Sequence, residues 1–211
     1  AGFEKIILLI LLSPALSFAD WVDDLQYLQT EWANVKYKYD SSDQQKGFEK
    51  LLEQADLRLK KNPNQAEVLI WHAIIEASYA GSLSAINPTA LGYVKNAKKD
   101  LEKAIELGDD VLDGSAYTSL GSLYYQVPGW PLGFGHEDKA NEYLKRGLEA
   151  NPDGIDANYF YADFLIKKKG EKEEAKVFLD KAKKAPSRPG RTVADQGRRI
   201  EVLELINKIK K

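Results

Sequence analysis

From residue 20 onward, apolar positions recur at three- and four-residue steps, the period of one face of an α-helix. In "WVDDLQYLQTEWANVKYKY", Trp21, Leu25, Leu28, Trp32 and Val35 share a face, which predicts a first helix over 21–39. A second is predicted over 42–61, opened by the Ser-Asp of "SSDQQ" and closed by "KKNPN". "NQAEVLIWHAIIEASYAG" predicts a third, apolar almost all round and ended by Gly81. "GSLSAINPTALG" then reads as a loop before a fourth helix that ends at "IELGDD". No stretch sustains a period of two, so no sheet is expected.

Small residues add a longer period. They recur in pairs seven apart: Ala97 and Ala104, Ala140 and Gly147, Ala175 and Ala182. A leucine lies between the members of each pair (Leu101, Leu144, Leu179), and a turn follows each helix. Such pairs let two helices approach closely along one seam. Successive pairs are offset by 43 and then 35 positions. The excess is accounted for by the eight residues "PGWPLGFG", 128–135, which interrupt one helical pair between Tyr125 and Glu137. Pro128 and Pro131 stiffen this insertion, and its glycines permit sharp reversals. Trp130 and Phe134 need cover, so the loop either folds back as a plug or projects as a binding lip.

These residues resemble a tetratricopeptide repeat. Tyr117, Leu120, Gly121, Tyr124, Ala140, Leu144, Gly147 and Pro152 follow the motif in order, and Tyr159, Gly170, Ala175, Leu179, Ala182 and Pro186 follow it again. Asp163 stands where the motif usually has Gly or Ala. A third unit, "AEVLIWHAIIEA" with "VKNAKKDLEKAIELG", matches with an insertion near 81–92, and 21–63 is a looser fourth. The resemblance implies an all-α, tetratricopeptide-like helical-hairpin solenoid with interrupted repeats, forming a single domain over 20–211. The amphipathic "EVLELINKIK", with Val202, Leu205, Ile206 and Ile209 on one face, reads as a C-terminal capping helix. Together with the tail "SRPGRTVADQGRR", the chain is similar to exported bacterial repeat proteins related to the T component of TRAP-type transporters. That likeness implies an accessory role in transport.

Residues 1–19 read as a secretory signal peptide: Lys5, an apolar run Ile6–Leu12, then Ser17 and Ala19 as small residues before a cut. The expected location is periplasmic or secreted, with no membrane span once the signal is removed. Without cysteine, no lipid anchor, disulfide or thiolate site is expected. Thirty basic against thirty-two acidic side chains give no cationic footprint for nucleic acid.

Catalysis finds little support. His72 sits mid-helix among apolar residues and reads as a core histidine. His136, ahead of Glu137 and Asp138, reads as a helix start. "GDDVLDG" lacks calcium-loop spacing and reads as a polar turn. No enzyme activity, metal site or cofactor is therefore expected.

Binding is the expected function, with a protein partner or a small apolar or anionic ligand. The resemblance implies a concave face carrying Ile70, Ile74 and Ala77, then Thr118, Ser122 and Tyr125, then Phe160, Phe164 and Lys167. If the interrupted repeats close on themselves, the same residues are plain core. Arg188, Arg191, Arg198 and Arg199 form the dense arginine run, suited either to an anion or to pairing with neighbouring carboxylates. The alternative function is a structural subunit of an oligomeric or envelope-associated assembly, with Trp130 and Phe134 against a second copy.

Overall fold

The computed structural model describes residues 20–84 and 87–210, so the signal-peptide reading of 1–19 lies outside the described residues. These fold into nine α-helices and no strand: α1 Asp20–Lys38, α2 Ser41–Lys61, α3 Ala66–Ser82, α4 Pro88–Leu107, α5 Ser115–Gln126, α6 Glu137–Ala150, α7 Ile155–Phe164, α8 Lys172–Lys184 and α9 Thr192–Ile209. A π-helical turn, Leu165–Lys169, continues α7.

Consecutive helices pair as antiparallel hairpins, and the hairpins stack. The odd helices touch in succession, α1 to α3, α5, α7 and α9, and α9 returns to α1. Each even helix lies outside this ring, between the odd helices that precede and follow it. The fold is all-α and tetratricopeptide-like, but short enough that its two ends meet.

The small-residue pairs build the hairpin seams. Ala97, Ala104, Ala140, Gly147, Ala175 and Ala182 are all buried, as are Leu101, Leu144 and Leu179 between them. Each buried leucine contributes about 2 kcal/mol of transfer free energy. In the α5–α6 seam the backbones leave no room for a side chain: a Cβ on Gly121 would lie 2.7 Å from Leu144 Cγ. A Cβ on Gly147 would overlap Thr118.

Two boundaries differ from expectation. α3 runs through Gly81 to Ser82, and α4 already starts at Pro88, so all of 88–92 is helix rather than loop. The reason is local: the Asn87 side chain accepts a hydrogen bond from Thr89 N at 3.0 Å, and Pro88 takes the first-turn position, where no N–H is needed. α9 begins at Thr192 and takes in Arg198 and Arg199, while Arg188 and Arg191 lie in the segment before it. Val202, Leu205 and Ile209 are buried along it and Ile206 is partly so. Besides capping α7 and α8, this helix closes the ring. Gly197 makes that approach possible, because a Cβ there would run into the Tyr37 ring of α1.

Candidate functional site

Closure turns the ring floor into a packed ionic layer. Asp156 of α7 accepts from Arg188 Nη1 at 2.9 Å and from Arg198 Nε at 2.8 Å. Arg188 also pairs with the buried Asp195, and Arg198 with Glu201. From α1, Tyr37 donates its hydroxyl to Glu201 at 2.9 Å and Lys36 lies 3.4 Å from the same carboxylate. Arg198 is buried over the rings of Tyr159 and Phe160, its guanidinium carbon under 5 Å from each centroid. Burial alone would raise the Asp156 carboxyl, but Arg198 and Arg188 hold it well below the usual carboxylate range. Arg191, the residue before α9, packs over Trp71 of α3 at 4.8 Å. Its Nε has no hydrogen-bond partner among the described residues, and burial together with Arg188 lowers its pKa to about 10. Arg199 donates instead to the carbonyl of Ala185. Two of the arginines expected to meet an anion are thus satisfied by carboxylates of their own chain.

The residues expected on the concave face divide into two groups. Ile70, Thr118, Tyr125 and Phe164 are buried, and Tyr125 donates its hydroxyl to Asp163 at 2.7 Å. Ile74, Ala77, Ser122 and Phe160 are half-buried, and Lys167 is exposed, 2.9 Å from Asp163. Asp163, the departure from the repeat motif, anchors both. The physical reason is the closure itself: the stripe that an open solenoid would display lies against neighbouring inner helices.

In the 128–135 loop one aromatic folds back and the other projects into solvent. Phe134 folds back edge-on to Tyr124, with centroids 5.5 Å apart, and Lys98 lies over its outer face. The backbone is pinned by Gly135 N to Pro128 O at 2.9 Å and His136 N to Tyr124 O at 2.8 Å. Leu132 N and Gly133 N both donate to Gly129 O, and the Trp130–Pro131 peptide is cis. A side chain on Gly135 would collide with Val127 O, which explains the glycine. On this frame Trp130 is 91% exposed and Leu132 71%, beside the exposed Pro128 and Pro131. His136 caps α6, its Nδ1 accepting from Lys139 N at 3.4 Å.

Sequence reasoning missed what surrounds His72. Its ring is 6% exposed, with Nδ1 2.6 Å from Asp100 of α4 and Nε2 2.7 Å from Asp56 of α2. Glu76, one turn further along α3, is 5% exposed, and its Oε2 stands 3.9 Å from Nδ1. Burial alone would lower the imidazole, yet Asp100 and Asp56 raise its pKa to about 9. Burial raises Glu76 to about 7 despite the imidazole. The available signal was the i,i+4 spacing of His72 and Glu76 on one face; their partners come from other helices.

No known protein-family model matches the chain. No curated protein matches it significantly either. Among solved structures, it is similar to TTC0263, a thermophilic TPR protein in Thermus thermophilus, at 15% identity and a TM-score of 0.48, over 89% of this chain and 99% of that one. It is also similar to MamA, at 22% identity and a TM-score of 0.35, over 68% of this chain and 92% of that one. No described helix is long and apolar enough to cross a membrane.

Proposed function

We propose that this protein is a non-enzymatic helical-repeat scaffold that docks a protein partner on the knuckle Pro128–Leu132. The observation that carries the reading is Trp130, 91% exposed on a loop whose backbone is hydrogen-bonded to itself and to α5. A tryptophan held in water on a pre-ordered frame gains most by entering a partner's apolar pocket, and it loses little entropy in doing so. The filled ring supports placing the contact outside rather than along the inner helices. Export is part of the reading and rests on the charge-and-apolar layout of 1–19. An accessory role in transport rests on the sequence resemblance.

The test places a photo-crosslinking amino acid at position 130 of the full chain in its native host, with Val177 of α8, 54% exposed, as the control position. The expected result is one defined adduct at 130, none at 177, recovered from the periplasmic fraction or the medium and lost on Leu132→Asp. Equal adducts at both positions, or none, contradict docking at the knuckle. A cytoplasmic adduct contradicts export. An adduct consisting of two copies of the chain selects the structural-subunit reading instead.

A further inference from the structure

The cluster around His72 lies on the side of α3 facing α2 and α4. We propose that His72, Glu76 and Asp100 bind a divalent first-row transition cation of the zinc class, with Asp56 as the positioning carboxylate behind the imidazole. Four observations carry this.

The first is convergence. One donor atom from each of the three residues lies within 4.8 Å of the other two. Ligands about 2.1 Å from a common zinc ion stand about 3.4 Å apart, so small side-chain rotations bring this set onto one centre. His72 and Glu76 are already aligned by their i,i+4 spacing on α3, and Asp100 meets them from α4.

The second is an unanswered carboxylate oxygen. Glu76 is 5% exposed, and its Oε2 is buried with no hydrogen-bond partner among the described residues. A buried acceptor without a donor is costly. It points at the same space as His72 Nδ1, where a cation would satisfy it.

Third, the other imidazole nitrogen is already engaged. His72 Nε2 lies 2.7 Å from Asp56 Oδ1, so with an Nε2–H donated there, loss of the proton shared by Nδ1 and Asp100 frees the Nδ1 lone pair for a metal. This is the carboxylate–histidine arrangement that fixes tautomer and ring orientation in metal sites. Finally, the site has an entrance: a cleft of about 460 Å³ reaches it, lined by Asp56, Pro63, Asn96 and Asp100 among others. Waters entering by that route complete the coordination.

The donor set selects the ion class. One imidazole with two carboxylates suits zinc or its neighbours, whereas calcium requires about six to eight oxygens. Binding releases to solvent any proton held between Nδ1 and Asp100.

The experiment uses the untagged full chain, stripped with chelator and titrated calorimetrically with zinc chloride and, separately, calcium chloride. Cobalt chloride supplies a visible spectrum. One zinc per chain at low-micromolar affinity or tighter is expected, with cobalt absorption in the visible showing a nitrogen–oxygen ligand field. Glu76→Gln and Asp100→Asn should each abolish binding. Asp56→Asn should weaken it about tenfold or more. Helical content by circular dichroism identifies any variant that fails to fold; binding by the remaining variants then decides. Absence of zinc binding by the wild-type chain overturns the proposal. So does zinc binding that survives in folded Glu76→Gln and Asp100→Asn chains, or tighter binding of calcium than of zinc.

Discussion

Asp156 ties together the ring's last inner helices. It takes a guanidinium from Arg188 and another from Arg198, and Arg198 carries the network on to Glu201 and α1. Removing its charge leaves Arg198 buried with one partner fewer, which costs about 3 kcal/mol or more. Asp156→Asn should therefore lower the urea midpoint clearly at pH 7. The pH dependence has a definite sign. A carboxyl whose folded pKa is depressed adds stability above its ordinary value of 3.8, and that stability fades as pH falls through and below it. The gap between wild type and Asp156→Asn should be constant from pH 7 to about 5 and narrow below about 4. A gap independent of pH over that range would mean that the carboxylate is not held by the arginines. The arginine run was legible in the sequence, and so was its choice between an anion and internal carboxylates. The partners were not, because Asp156 lies 32 and 42 positions from the two arginines it binds. The His72 cluster was hidden for the same reason: an apolar local context suggests a core residue, and only the fold brings Asp56 and Asp100 to it.

Among the elements, the seams were the most readable feature. Alanine or glycine at seven-residue steps marks where two helices touch, and all six such positions are buried. The α5–α6 seam makes a sharp test. Gly147→Ala pushes a methyl group into Thr118 and should cost about 1–3 kcal/mol by denaturant melting. Gly81→Ala, inside α3 with nothing within 4 Å of the new methyl group, should be neutral or stabilise by up to about 1 kcal/mol. Equal effects at the two sites would deny the close seam. The 128–135 insertion was legible as rigid, from its prolines and glycines. The division of labour within it was not, since two aromatics four apart look alike until Tyr124 is seen to take one of them. The π-turn after α7 had no sequence signal. The early start of α4 had one, in Asn87-Pro88, but it competed with a run of loop-forming residues.

At the scale of the molecule, the decisive contact is α9 on α1. The repeats, their interruption and their capping helix follow from local patterns, but closure depends on how much each hairpin rotates against the next, which no local pattern records. Closure packs Trp32, Trp71, Tyr159, Phe160 and the arginine layer together on the inside, and leaves Trp130 of the knuckle the most exposed large apolar side chain among the described residues. A filled ring therefore favours the outer loop over the inner helices as the binding surface. The chain contains no cysteine, so single-cysteine labelling reads this directly. Leu132→Cys, Ile70→Cys and Thr118→Cys chains would be reacted with a maleimide under native conditions and again in denaturant. Leu132→Cys should react natively at the rate of a free thiol. Ile70→Cys and Thr118→Cys, on the inner helices, should react about a hundredfold more slowly or less, until the chain is unfolded. Comparable native rates at all three positions would contradict the closed ring, and with it the placement of the docking surface on the loop.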